Sequence, residues 1–247
     1  MSRRRVVVTG LGALAPNGND LYSFWDALVN GRSGIGPITK FDASGHRARI
    51  AGEIKDFDPE SALDRKDVRR NDPFTHYAMY VGLQAVAHAG LDVEAVDAER
   101  VGVIWGSGIG GITTHEKQHT ILMEKGPKRI SPFYVPMMIS DMAAGMISMV
   151  LGAKGPNYAT VSACSSASHA LGEAARKIQY DEADVMVTGG SEAAVTSISV
   201  AGFASAKALS TRNDEPARAS RPFDAERDGF VLGEGAGGIV LEELEHA

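Results

Sequence analysis

Cys164, the single cysteine of the sequence, is the residue whose type and position most clearly indicate catalytic chemistry. β-Branched and aromatic residues predict a short buried strand over Tyr158–Ser162, and the Ala-, Leu- and Glu-rich stretch Ser165–Tyr180 predicts a helix. A thiol where a strand turns into a helix faces unpaired backbone N–H groups and the positive end of the helix dipole, which favour the thiolate. Because the thiolate is the nucleophile, this position suits covalent acyl transfer. An inert, buried core residue is the alternative.

A cysteine nucleophile usually acts with a base or a cationic partner, and the sequence offers none that is convincing. His169 is the nearest histidine in the sequence, but it lies about 140° around the predicted helix from Cys164. We expect His169 to be a packed helix residue and not a base. His115 and His119 have the spacing of a metal pair, but without a third ligand nearby a solvated helix face is favoured. The sequence therefore predicts no metal site.

Three glycine-containing motifs suggest other chemistries, each with a weaker case. Val6–Ala15 fits a strand followed by the dinucleotide fingerprint, but Pro16–Gly18 would break the helix that the fingerprint requires, which favours a tight turn leaving an edge strand. Gly106–Gly111 lacks the Lys-Ser/Thr pair of a P-loop, so its glycines indicate close approach to a neighbouring element or a ligand. Gly189–Ala193 resembles a serine-hydrolase elbow, but its last position is alanine and Ser191 has no evident base.

Composition excludes several broad classes of protein. The 247 residues suffice for one large domain or two small ones, and 44% hydrophobic with 23% charged residues is ordinary for a soluble globular protein. A net charge of −6 argues against nucleic-acid binding, and a single cysteine excludes an internal disulfide and suits a reducing cytosol. The start Met1–Val8 is too polar for a signal peptide, and the apolar stretch Met142–Ala153 is too short to span a membrane. We therefore expect a cytoplasmic protein.

Strand-like and helix-like segments alternate along the chain, which predicts an α/β fold with buried strands. Asp72-Pro73 is a strong helix start, and the helix is expected to stop at Gly90. The other predicted helices are Leu21–Asn30, Ser140–Leu151 and Ser165–Tyr180, and the other predicted strands are Arg5–Thr9, Val101–Trp105, Val185–Thr188 and a pair formed by Gly229–Leu232 and Gly238–Glu242.

A series of motifs, in this order along the chain, resembles the first half of the elongating β-ketoacyl-acyl-carrier-protein synthases, closest to the synthase II type. The motifs are Val6–Gly12, Gly106–Gly111, Ser131–Pro136, Ala163–Ser165, Ala208–Asn213, Ser220–Asp224 and Arg227–Gly237. Two positions depart from the pattern: Ser162 stands where threonine is common, and Tyr134 where phenylalanine is common. These departures leave the acyl-chain preference open.

The resemblance implies a thiolase-like α/β fold, layered αβαβα in the complete enzyme, with residues 1–247 as the N-terminal domain, the C-terminal half absent, and a homodimeric assembly. It implies fatty-acid elongation without a bound cofactor. An acyl group moves from the phosphopantetheine of acyl carrier protein to Cys164, malonyl-carrier protein loses CO2, and the carbanion attacks the thioester. Two histidines and one oxyanion-hole N–H would lie in the second half, so the 247 residues alone are expected to be inactive.

The resemblance also assigns roles to individual positions. Ile109 and Phe203 would line the acyl tunnel and Tyr134 would reach across the dimer, with ordinary core packing as the alternative. A basic surface would dock the acidic carrier protein, although interleaved aspartates also fit a solvated face. Its residues are Lys66, Arg69, Arg70, Lys128, Arg129 and Lys207.

Two other functions stay open at the level of sequence. Within the enzymes, a polyketide ketosynthase or a thiolase-type acyltransferase is the alternative, and a thiolase would use coenzyme A thioesters in place of carrier protein. Outside the enzymes, the chain by itself would be a non-catalytic half domain that binds carrier protein or a partner subunit.

Overall fold

A five-stranded mixed sheet runs through the centre of the chain, of which the computed structural model describes residues 3–247. In chain order the strands are β1 (Val6–Leu14), β2 (Gly36–Pro37), β3 (Ile50–Ala51), β4 (Val101–Gly106), β5 (Asn157–Thr160), β6 (Val185–Glu192) and β7 (Gly235–Glu243). The sheet has the order β1-β7-β6-β4-β5, while β2 and β3 form a separate antiparallel ladder. β4 is parallel to β5 and β6, and β7 is antiparallel to β6 and β1. The carboxyl ends of β4, β5 and β6 therefore meet at one edge of the sheet.

Helices cover both faces of this sheet. In chain order they are α1 (Leu21–Val29), α2 (Arg65–Arg70), α3 (Pro73–Ala89), α4 (Ile112–Lys125), α5 (Tyr134–Met138), α6 (Met142–Leu151), α7 (Ser166–Gln179), α8 (Ser197–Ser205) and α9 (Pro216–Ala219). α3 and α6 pack on one face and α7 on the other, which confirms the predicted α/β fold. No helix within residues 3–247 combines the length and the apolar character needed to cross a membrane.

Alternating side chains of β4 build the core on each side of the sheet. Val103 and Trp105 are fully buried with α3 and α6, whereas Ile104 is fully buried against α7. This alternation follows from the strand period of two, and every residue of β4 is buried because helices cover both faces. α7 meets the sheet through Ala170 and Ala174, whose four-residue spacing gives one apolar stripe on the helix.

The N-terminal glycine motif lies inside β1, so the predicted tight turn is wrong, although β1 is an edge strand as expected. A Cβ on Gly10 would lie 2.0 Å from the carbonyl oxygen of Ala85, and one on Gly12 would lie 2.3 Å from that of Val81. The glycines are thus needed because the backbone of α3 lies directly on the strand. Since the strand continues to Leu14 and no helix begins there, the dinucleotide fingerprint is excluded.

The helices predicted from caps agree closely with the structure, whereas two strand predictions do not. α3 begins after Asp72, whose side chain accepts the N–H of Phe74, and it ends at Gly90 in the left-handed region. The predicted pairing of Gly229–Leu232 with Gly238–Glu242 is wrong, because β7 lies between β1 and β6. The strand predicted over Tyr158–Ser162 corresponds to β5. It is not buried as predicted, because β5 is an edge strand whose residues are partly exposed.

A network of ion pairs joins chain segments at the amino ends of the parallel strands. Asp184 lies just before β6 and accepts hydrogen bonds from Arg100 Nε at 2.9 Å and from Arg4 Nη2 at 2.6 Å. Arg100 precedes β4 and Arg4 precedes β1, so one carboxylate links the starts of three strands. The hydrogen bonds from Arg100 and then Arg4, which outweigh partial desolvation, hold the pKa of Asp184 well below its usual range.

We predict that Asp184→Asn lowers the free energy of unfolding by about 1–2 kcal/mol at neutral pH, because two guanidinium groups each lose one of their charged acceptors and keep another, Asp181. The contribution of Asp184 is present above the unfolded-state pKa of about 3.9 and is lost as the pH falls toward the lower folded-state pKa. The difference between wild type and variant should therefore shrink below about pH 4. Urea unfolding at several pH values measures both effects.

Glu215→Gln is the matched control, since within residues 3–247 Glu215 pairs only with Arg218, in an exposed i,i+3 contact. Such surface pairs contribute little, so this variant should unfold like wild type at every pH. Equal unfolding curves for wild type and Asp184→Asn at pH 7 would contradict a stabilising role for the network.

Candidate active site

Three segments that follow parallel strands meet at the carboxyl edge of the sheet. The loop Gly106–Gly111 follows β4, the turn Val161–Ser165 follows β5, and Glu192 ends β6. Residues of all three segments, Cys164 among them, line a cavity of about 570 Å³. Ligand sites in open α/β sheets lie at this edge, and the cavity volume falls within the range of about 300–1,000 Å³ that is common for such sites.

The turn that carries Cys164 is a tight elbow between β5 and α7. Ala163 has a φ of +52°, a left-handed conformation that costs a non-glycine residue about 1–3 kcal/mol. The buried Ser166 side chain offsets this cost, since its Oγ accepts the N–H of Ser162 at 2.9 Å and donates to the carbonyl of Ala163 at 2.7 Å. Cys164 is exposed at the start of α7, so its predicted position at a strand–helix junction is confirmed and the buried alternative is wrong.

No side chain within residues 3–247 hydrogen-bonds the sulfur of Cys164. The backbone N–H groups of Ser165 and Ser166 turn back to the carbonyls of Ser162 and Ala163, while the N–H of Cys164 donates to none of the described residues. That N–H is free for a ligand oxygen. His169 is exposed, and its Nδ1 lies 2.5 Å from Ser162 Oγ. The expectation of a packed helix histidine is therefore wrong: the ring of His169 is at the surface of α7, where it contacts the elbow residue Ser162.

The cavity beside Cys164 has mainly apolar walls. Ile109 and Phe203, the two predicted tunnel residues, both line it, and so do Phe230 and Leu232. The rings of Phe203 and Phe230 meet edge to face with centroids 5.4 Å apart. Sequence analysis missed the last two residues because their segment was assigned to a strand. Walls of this kind suit a hydrocarbon chain.

Two carboxylates also line the cavity, and both are engaged within the chain. Glu234 is paired with Lys40. Glu192 accepts the N–H of Gly108 at 2.7 Å and the hydroxyl of Ser107 at 3.0 Å, and burial raises its pKa. Since a carboxylate already occupies the N–H groups of Gly106–Gly111, this loop does not form a phosphate cradle. Its glycines serve close approach to neighbouring elements, one of the two predicted uses.

The motif that resembles a hydrolase elbow holds no available nucleophile. Ser191 is buried, and its Oγ accepts a hydrogen bond from Trp105 Nε1 at 3.0 Å. It occupies a regular position in β6 and not a sharp turn. The hydrolase alternative is therefore excluded on geometry.

Tyr134 lies outside the cavity of its own chain. Its hydroxyl is 2.8 Å from Nδ1 of His115, whose ring stacks on that of His119 with centroids 6.3 Å apart. The described part of the chain, residues 3–247, contains no cluster of three or more potential metal ligands.

The six basic residues assigned to docking are all exposed. The guanidinium of Arg70 lies 4.9 Å from the ring centroid of Phe133, which brings α2 next to the segment that carries Lys128 and Arg129. Lys207 lies in a different part of the chain, just after α8.

Comparison with solved structures finds the same fold in ketosynthases. A beta-ketoacyl synthase from Burkholderia phymatum STM815 superposes with a TM-score of 0.89 and 33% identity, over 100% of this chain and 60% of that one. A chain from the solved complex of a type II PKS acyl-carrier protein with its ketosynthase gives a TM-score of 0.80 and 26% identity, over 99% of this chain and 64% of that one. The chain therefore has the thiolase-like fold that the resemblance implied.

Comparison of sequences points to the same group. A curated relative, 3-oxoacyl-[acyl-carrier-protein] synthase 2 of Synechocystis, is 54% identical over all 247 residues, which cover 59% of its length. The chain thus spans about 60% of the length of the curated relatives that it matches. The family model described as Beta-ketoacyl synthase, N-terminal domain, matches residues 3–247. On this match and these identities, the chain belongs to the beta-ketoacyl synthase family.

Proposed function

We propose that this chain carries the acyl-accepting half of an acyltransferase that elongates fatty acids on acyl carrier protein. The observation that carries the proposal is the exposed thiol of Cys164 on a strained elbow, at the mouth of an apolar cavity of about 570 Å³. The 3-oxoacyl-[acyl-carrier-protein] synthase 2 relatives supply the substrate class.

In the first step the Cys164 thiolate attacks the carbonyl carbon of the acyl thioester. A new C–S bond forms, the C–S bond to phosphopantetheine breaks, and the departing thiolate takes up a proton. The free N–H of Cys164 donates to the carbonyl oxygen as negative charge develops there. The acyl chain then occupies the cavity between Ile109 and Phe203.

In the second step malonyl-carrier protein loses CO2, and its carbanion attacks the thioester carbon and returns the thiolate of Cys164. We propose that the two histidines and the second oxyanion donor for this step come from the part of the family that the chain does not match. We further propose a homodimer in which Tyr134 reaches the partner's cavity. The position of Tyr134 outside the cavity of its own chain supports this role.

A polyketide ketosynthase is the second candidate, favoured by the likeness to a type II PKS ketosynthase at 26% identity. The first step is the same in both, and the chains that enter the cavity differ in polarity. The higher identity to the fatty-acid synthases and the apolar walls support elongation of hydrocarbon chains.

The first prediction from this function is that Cys164→Ala abolishes formation of an acyl-enzyme, because no other nucleophile lines the cavity in an exposed turn. The measurement is the intact mass of the enzyme containing this chain after incubation with acyl-carrier protein. Ser191→Ala is the control, since Ser191 lines the same cavity but is held by Trp105, and it should still be acylated. Acylation of the Cys164→Ala protein would mean that the nucleophile lies elsewhere.

A second prediction concerns the elbow itself. Cys164 should react with iodoacetamide at pH 7 faster than glutathione does, because the strained elbow holds the thiol exposed just before α7. Ser166→Ala should slow this reaction several-fold, since the Ser166 hydroxyl holds both Ser162 and Ala163 in the strained turn. Ser168→Ala, at an exposed position of the same helix, should react like wild type. Equal rates for all three proteins would remove the elbow as the source of reactivity.

A third prediction concerns carrier-protein docking. Arg69→Glu or Lys128→Glu should raise the KM for acyl-carrier protein several-fold, and the effect should shrink at high salt because exposed charges are screened within about 8 Å. Acylation by a small pantetheine thioester should not change. Lys154→Glu is the control, because Lys154 is exposed just before β5, at the end of the strands opposite the cavity. Equal losses with both acyl donors would indicate a defect in the site and not in docking.

A further inference from the structure

Glu192 is the one charged side chain of the cavity wall that has no ionic partner within residues 3–247. The other, Glu234, is paired with Lys40. Three hydrogen-bond donors of a single loop face the Glu192 carboxylate in place of a cation. Partial burial of an unpaired carboxylate is costly, so these donors are needed to stabilise its ionised form.

Glu192 contacts three consecutive loop residues directly and a fourth through Ser107. Oε2 accepts the N–H of Gly108 at 2.7 Å, and Oε1 accepts the hydroxyl of Ser107 at 3.0 Å. The N–H of Ile109 is shared between both oxygens at 3.3 and 3.2 Å. Ser107 Oγ in turn accepts the N–H of Gly110 at 3.1 Å. One carboxylate therefore organises the loop from Ser107 to Gly110.

No backbone carbonyl within residues 3–247 takes up these loop amides. The N–H groups of Gly108, Ile109 and Gly110 have no backbone acceptor within residues 3–247. The far end of the loop is held independently, since Gly111 donates to the carbonyl of Met138 at 3.0 Å. The near end is held by the N–H of Ser107, which donates to the carbonyl of Thr160 at 3.4 Å. The stretch between these ends, where Ile109 enters the cavity wall, thus depends on Glu192.

Space around the loop is tight on the same side. A Cβ on Gly108 would lie 2.9 Å from Glu192 Oε2, so the carboxylate sits directly against the backbone. Ile109, by contrast, is 42% exposed and lines the cavity, so its side chain has no close packing that would fix it. Its position follows from its backbone.

Resting on the acyl transfer proposed above, we propose that Glu192 is a positioning residue that fixes Ile109 in the cavity wall and so sets the length of acyl chain that Cys164 accepts. A short acyl group near the thiol does not need the full cavity. A long chain does, and each further methylene group adds buried apolar area only where the wall is in place. Loosening the loop therefore affects long chains selectively.

The test compares Glu192→Gln with wild type in the enzyme containing this chain. The amide of glutamine turns an NH2 donor toward the loop donors, so at least one loop hydrogen bond is lost. Acylation of Cys164 is timed by intact mass with acetyl- and dodecanoyl-carrier protein. We expect the acetyl rate to stay within about twofold of wild type and the dodecanoyl rate to fall about tenfold, the size of effect that a small misplacement of a positioning group produces.

Amide hydrogen exchange gives a second measurement that does not depend on activity. In Glu192→Gln the amides of Gly108–Gly110 should exchange faster, while that of Gly111, held by Met138, should not change. Unchanged exchange at Gly108–Gly110 would overturn the positioning role even if acyl transfer itself proved absent. Failure of wild type to acylate with any donor would, separately, refute the proposed function.

Glu53→Gln is the matched control. Glu53 is buried and, like Glu192, accepts two backbone N–H groups and a hydroxyl, those of Thr39 and Lys40 and the Thr39 side chain, but it does not line the cavity. It should keep the wild-type ratio of dodecanoyl to acetyl rates. Equal slowing of both donors in Glu192→Gln, or an unchanged ratio, would overturn the inference.

Two more variants keep the test decisive if Glu192→Gln does not fold. Ser107→Ala removes one of the carboxylate's donors and the acceptor for Gly110, and it should shift the rate ratio in the same direction to a smaller extent. Ile109→Ala should make the ratio insensitive to Ser107→Ala, because the effect is transmitted through Ile109. Additive effects of these two changes would contradict that route.

Discussion

The parallel pairing of β5, β4 and β6 is the constraint on which the site depends. Parallel neighbours place their carboxyl ends at one edge, so the loop after β4, the elbow after β5 and Glu192 at the end of β6 come together although they are far apart in sequence. Parallel strands also require crossover connections and burial on both faces. The fully buried β4 and the helices on either side meet that requirement.

Close backbone approach then sets where the thiol lies relative to this edge. A Cβ on Gly106 would be 2.4 Å from the backbone of Ser166, and one on Gly190 would be 2.6 Å from the side chain of Ala167. The first turn of α7 is therefore seated directly on the ends of β4 and β6. The strained φ of Ala163 is a consequence of the short path from β5 to this helix, and the hydroxyl of Ser166 stabilises it.

The charges of the cavity are satisfied before any ligand arrives. Lys40 pairs with Glu234, and loop N–H groups donate to Glu192, so neither carboxylate needs a cationic group of a substrate for its stabilisation. The same contacts leave no free N–H nest for a phosphate. What remains open is apolar wall beside a thiol and one backbone N–H, which is the requirement for holding an acyl thioester.

The sequence by itself determined the features whose signals are local: the ends of α3 at Asp72 and Gly90, the helix after Cys164, and the position of Cys164 at a strand–helix junction. The structure decided that the thiol there is exposed. Motif order gave the family and two wall residues, Ile109 and Phe203. Only the tertiary structure decided the partners of β7, the glycines of β1 beneath α3, the position of His169, and the contact of Glu192 with the glycine loop. Caps and periodicity act within a few residues, whereas strand pairing and close approach join segments far apart in the chain, so no local pattern encodes them.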